Sequence, residues 1–168
     1  ITCPGVTNAT TGIGQAFADS IPMLIISSAN DSQSLGQGWG RLHDSTDLFA
    51  ITRPITAFSV MVHDPSEVPG YLAKAFALFS AQRPRPVHIA IPIDVMEMMV
   101  NEDWSPQVVP NLPMPSGVSF SDATALLASS QQTVMVVGGG CQHASVEVTK
   151  LAELLNVGVI ASNAGKGV

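Results

Sequence analysis

Residues 86–92 read PVHIAIP, an apolar run with Pro86 and Pro92 at its ends. The run has the length and composition of a strand. What precedes it decides which kind of sheet it joins. Asp64-Pro65-Ser66-Glu67 is a helix start, with a capping Asp, Pro at the first helical position and Glu at the third. Val68, Tyr71, Leu72, Ala75, Phe76 and Phe79 then recur at helical spacing. Before that helix lies FSVMV (58–62), a second strand, and further back PMLIISS (22–28), a third. The last reads as buried on both faces. Thr7 or Asn8 caps a helix running to about Ser20. Strand and helix therefore alternate over residues 1–99, which predicts a parallel sheet with right-handed crossovers.

Two stretches break this rhythm. Residues 29–44, ANDSQSLGQGWGRLHD, form a long Gly/Ser/Asn-rich surface loop, of a length uncommon without a function. STDLFAI (45–51) reads as a short helix broken at Arg53-Pro54, because proline disfavours a helical residue before it. Residues 100–118 carry Pro106, Pro110, Pro113 and Pro115 and read as a stiff linker. Beyond it the alternation restarts, with a helix near 121–130, the strand TVMVVGG, a helix near 144–155 and the strand VGVIAS. The expected fold is α/β: two partial Rossmann-like three-layer units with parallel sheets, residues 1–99 and 119–168, joined by the proline-rich linker. Two strands are too few for a stable sheet alone, and both ends of the chain look cut.

Composition narrows the function. The 168 residues are 46% hydrophobic and only 12% charged, with net charge −6 and no Lys/Arg cluster. Such a balance argues against nucleic acid, which needs a basic footprint. No apolar run is long enough to span a membrane, and no basic segment precedes an apolar core as in a signal peptide. Cys3 and Cys141 stand alone, outside any metal-ligand spacing. A reduced, cytoplasmic setting fits, and low charge fits a surface partly hidden by partner subunits.

Few residues carry chemistry. Pro4-Gly5-Val6-Thr7-Asn8 brings a turn and a helix N-terminus together, which is either a ligand cradle or a plain strand-to-helix turn. Gly138-Gly139-Gly140 follows a strand and precedes a helix, which is either a nucleotide approach or a tight turn. Asp94 at a strand end is a possible acid or a cap. His88, inside a strand, reads as a hydrogen-bonded core histidine. His43 and Asp44, in the long loop, are better placed for function. Arg53 pairs with a surface acid or reaches a phosphate or carboxylate. No paired carboxylates, nucleophile motif or metal cluster stands out, so the expected catalytic and metal sets are empty.

The order of motifs resembles the thiamine diphosphate (TPP)-dependent enzymes, in particular the acetolactate synthase and 2-oxo acid decarboxylase group. The matching stretches are CPGVTN with GIGQAFADSIPMLIIS, then ITRPIT, RPRPVHIAIPIDV, VMVVGGG and ASNAGKG. The resemblance implies that residues 1–99 are the C-terminal half of a pyrimidine-binding domain. Residues 119–168 are then the start of a middle domain that binds FAD or an ADP-like nucleotide. It implies Pro4, Gly5 and Asn8 at the pyrimidine, and Arg53, Gly138, Gly139 and Gly140 at the nucleotide. It also implies a parent enzyme with thiamine diphosphate and Mg²⁺, a dimeric or tetrameric assembly and a small 2-oxo acid substrate. The family's activating Glu and its Gly-Asp-Gly…Asn motif fall outside this stretch, so the chain is expected to be inactive alone.

The chain departs from acetolactate synthases at three places. Cys3 replaces a Gly, Ala29 a Gln, and Ala57 a Lys. The last two belong to the substrate channel, and they point toward decarboxylation of a longer 2-oxo acid. The stretch SAQRPRPVHIAIPIDV resembles guanidino-oxo-acid decarboxylases. The rival reading is a nucleotide-binding or subunit-pairing module without catalysis.

Overall fold

The structure is a computed structural model that describes residues 1–101 and 103–168. The chain divides into two compact units, Ile1–Pro113 and Met114–Val168. Both are α/β with parallel strands, as the alternation predicts.

The first unit is built on β1 (Leu24–Ala29), β2 (Phe58–Met61) and β3 (Val87–Pro92). Their order is β1-β3-β2, so the PVHIAIP strand is central. It pairs along its whole length with β1, from Leu24 opposite Val87 to Ala29 opposite Pro92. It pairs with β2 from Phe58 opposite Val87 to Met61 opposite Ala90. Strand side chains alternate between faces, and the two faces have different covers. Val87 and Ile89 pack with Val62, Val95 and Ala75, the last from α3 (Val68–Ala81). Ala90 and Ala29 pack on the other face with Val6 of α1 (Cys3–Asp19) and Leu48 of α2 (Leu48–Thr52). This gives the three layers.

Three local readings change. The first helix starts at Cys3 with Pro4 in its first turn, rather than at Thr7 or Asn8. Proline there gives up only an N–H that the first turn leaves unbonded anyway. The Thr7 hydroxyl donates back to the Pro4 carbonyl at 3.0 Å, as it does inside a helix. Among the described residues strand β1 stands at the edge of the sheet instead of being buried on both faces, and Ile26 is 59% exposed. Arg53-Pro54 does not stop the helical backbone either. Arg53 keeps helical angles, and the chain tightens into a 3₁₀ turn, Arg53–Ile55. Proline's ring restricts its predecessor without forbidding such a turn.

Asp64 caps the second half of the unit, accepting from the Ser66 N–H at 2.9 Å, while the His63 N–H donates to Glu67 at 2.8 Å. Strand β3 runs straight into α4 (Ile93–Met96). Residues 103–116 form neither helix nor strand, and the Ser80 hydroxyl holds the Pro110 carbonyl at 2.7 Å.

The second unit has α5 (Gly117–Ser129), β4 (Val134–Val137), α6 (Ser145–Leu155) and β5 (Gly158–Ala161). Helix α5 begins four residues ahead of the expected start, because Ser116 caps it by accepting from the Ser119 N–H. Strands β4 and β5 pair in parallel, from Val134 opposite Gly158 to Val137 opposite Ala161.

Candidate functional site

Parallel α/β sheets place ligand sites beyond the carboxyl ends of their strands. In the first unit that end carries a cleft of about 470 Å³. Thr2, ahead of α1, and Ser28 and Asn30, at the end of β1, form one side. Asp31, Arg41 and His43 come from the long loop, and Ile93 from α4. A separate small cavity beside it is lined by Cys3, Ala29, Leu35 and Asp44 among others. A second, apolar groove of about 330 Å³ lies between α3 and the Trp104–Val109 segment, and no titratable side chain lines it.

The loop that walls the cleft is held firmly at its base. Asp31 accepts from the Ser34 N–H at 3.1 Å and from its hydroxyl at 2.8 Å, and Ser34 is fully buried. Asp94, just past β3, accepts from both the N–H and the hydroxyl of Ser32, at 3.1 and 3.2 Å. Partial desolvation pushes the Asp94 carboxyl up, but these bonds, with those from its own N–H and that of Val95, hold it below the usual range. Asp94 is therefore a loop anchor. The tip of the loop uses left-handed backbone at Gly36, Gly38 and Gly40, and at His43 with φ 59°.

Beneath the cleft, His88 is fully buried in β3. Its Nε2 meets the Ser27 hydroxyl at 2.8 Å, and its Nδ1 meets Ser59 at 2.8 Å and Thr52 at 3.2 Å. Burial lowers its pKa to about 4, so the ring is neutral at physiological pH. The hydrogen-bonded core histidine read from sequence is what the structure shows. It braces all three strands and α2.

The candidate residues fall in separate places. Pro4 and Gly5 are half-buried in the first turn of α1, beside the cleft, while Asn8 is exposed one turn along. Arg53 is exposed, with its guanidinium 5.4 Å from the centre of the Phe49 ring. Gly138, Gly139 and Gly140 belong to the second unit, at the end of β4. A side chain at Gly139 would meet Ala164 at 3.3 Å, while Gly140 faces open space. Thr2 and Arg41 were not singled out by sequence. The long loop was the signal for Arg41, and nothing in the sequence marked Thr2.

Thr2 bears on what the cleft takes. It is 8% exposed, and its hydroxyl is a buried polar group without a partner among the described residues. Buried polar groups are ordinarily satisfied. An orphaned hydroxyl beside Pro4, at the positive end of a 17-residue helix, fits the polar edge of a flat heteroaromatic ring. Among the described residues no three His, Cys, Asp or Glu side chains gather as a metal site. No helix of the described residues is long and apolar enough to cross a membrane.

Comparison with known proteins finds similar chains. Residues 1–51 match the thiamine pyrophosphate enzymes, N-terminal TPP binding domain. The chain is 46% identical, over 99% of its length, to the "Probable 2-ketoarginine decarboxylase AruI" of Pseudomonas aeruginosa, of which it covers 30%. It is 30% identical, over 98% of its length, to acetolactate synthase 2, chloroplastic, of Nicotiana tabacum, of which it covers 25%. The fold matches the crystal structure of benzoylformate decarboxylase from Polynucleobacter necessarius, with a TM-score of 0.82 at 21% identity, over 96% of this chain and 30% of that one. The chain is thus similar to part of the TPP-dependent enzymes, and it spans less than a third of the length of each of these proteins.

Proposed function

We propose that the chain is a stretch of a TPP-dependent enzyme that decarboxylates a long-chain 2-oxo acid, and that the β1–β3 cleft receives the cofactor's pyrimidine half and the substrate. The observation that carries this is the orphaned, buried Thr2 hydroxyl at the mouth of α1. It lies within the residues that match a TPP binding domain. When bound, the cofactor supplies an electron sink for loss of CO₂. This chain's own residues bind and orient. Pro4 offers an apolar surface to the ring, the Thr2 hydroxyl meets a polar edge, and the anchored loop walls off solvent. The 2-ketoarginine specificity in the name of the Pseudomonas relative favours a long substrate.

The remaining expectations are proposals of the same reading. Residues 1–99 are the pyrimidine-side half-domain, residues 100–118 a connector, and residues 119–168 the start of a middle domain. The open face at Gly140 is where FAD or an ADP-like group would approach, with Gly138 and Gly139 behind it. Magnesium and the activating carboxylate are supplied by the rest of the enzyme, as is part of the oligomeric contact. On its own the chain releases no CO₂.

The test is CO₂ release from a series of 2-oxo acids, with TPP and Mg²⁺ present. Two preparations are compared: residues 1–168 alone and the full-length protein carrying them. Turnover by the full-length protein and none by the shorter chain is the expected result. No CO₂ from any 2-oxo acid in the full-length protein overturns the reading.

A further inference from the structure

The cleft already holds a guanidinium. Arg41 places its Nε 3.8 Å from Asp31 Oδ2, and both side chains face the cleft. The two partners are held very differently. Both carboxylate oxygens of Asp31 are held by buried Ser34, Oδ1 by its N–H and Oδ2 by its hydroxyl, and each keeps a second lone pair. The Arg41 side chain is 57% exposed and follows Gly38 and Gly40, both in left-handed backbone. An exposed ion pair at that distance holds its cation weakly. A fixed carboxylate facing a cavity, with a loosely held guanidinium over it, is a cation site with a resident occupant.

Asp31 is the one carboxylate among the described residues that line the cleft. Asp94 does not line it, and Asp44 lines the small neighbouring cavity and accepts from the Ser45 N–H. Arg41 and His43 are the basic groups facing Asp31 across the opening. We infer that Asp31 recognises the cationic tail of a guanidinium-bearing 2-oxo acid, which enters by displacing Arg41. This rests on the reading that the cleft takes a 2-oxo acid, and it adds the residue that selects the tail. Guanidinium suits the role because its planar fork pairs with a carboxylate through two donors, where Arg41 offers Asp31 a single long contact.

The experiment compares kcat/KM for 2-ketoarginine and for 2-oxooctanoate, an acid of similar length with an uncharged tail, in the full-length protein with TPP and Mg²⁺. Asp31→Asn keeps one of the two acceptors for Ser34 and removes the charge. It is expected to lower kcat/KM for 2-ketoarginine relative to 2-oxooctanoate about tenfold, the scale of one charge-assisted contact. Arg41→Ala removes the competitor and is expected to lower KM for 2-ketoarginine alone. The inference is overturned if Asp31→Asn leaves the preference intact or weakens both substrates equally. It is also overturned if Arg41→Ala weakens both, since Arg41 would then be an anion binder. CO₂ release that is normal but indifferent to the tail overturns this inference and leaves the proposed function standing. No CO₂ from either acid overturns both.

Discussion

His88 shows how a single buried side chain ties stability to pH. Above its ordinary pKa of 6.5 the ring is neutral whether the chain is folded or not. Below 6.5 the unfolded chain takes up a proton, while the folded ring, with its pKa near 4, resists. Stability therefore falls as pH drops through that window and levels off below it. His88→Leu is expected to flatten this dependence. At neutral pH the variant starts lower, by about 1–3 kcal/mol, because the Ser27, Ser59 and Thr52 hydroxyls lose their ring partner. Urea unfolding at neutral pH and at about pH 5 measures both effects. The role of His88 was legible in the sequence, because a lone histidine in an apolar strand must be satisfied. Its partners were not, since they lie 61, 29 and 36 residues away on three other elements.

At the scale of elements, the loop between β1 and α2 behaves as a wall only while its foot is pinned. Asp94 is the pin that joins α4 to that foot. Asp94→Ala is expected to leave the sheet intact while speeding proteolytic cleavage between residues 36 and 43. Cleavage as slow as in the unaltered protein would show that Asp31 and Ser34 hold the loop alone. The direction of the Asp94 shift adds that the pin weakens as pH falls, since a carboxyl held low gives its stabilisation only while ionised. Element identity and order were legible here, because apolar runs and capping residues are local signals. Element ends were less so. Both Thr2 and Thr7 stand where a cap could be, and only the packing of Val6 against Ala29 and Ala90 decides that the helix already exists by Cys3. The edge position of β1 was hidden for a similar reason. An apolar run reports a preference for burial, not how many neighbours the strand will have.

Across the whole molecule the two units differ in how much each can protect. The first has a central strand with Val87, His88 and Ala90 fully buried. The second rests on two strands, with Val134, Val136 and Ile160 exposed by 62%, 71% and 59%. A two-stranded sheet is marginal by itself. Hydrogen exchange on residues 1–168 is expected to show slow amides in β3 and fast ones throughout β4 and β5. Equal protection in the two sheets would contradict this. The division itself could be read from the prolines and the restart of the pattern after them. The cleft could not, because Thr2, Asp31, Arg41 and Ile93 meet only once the β1–β3 register is set.

That register has a consequence for synthesis. Strands β1 and β2 each pair with β3 and not with one another. The strand that joins them is the last of the three to leave the ribosome. In a nascent chain ending before Val87 neither β1 nor β2 has its β3 partner, while the helices can already form from local contacts. These two pairings then form together, when PVHIAIP emerges and inserts between strands made some thirty and sixty residues earlier.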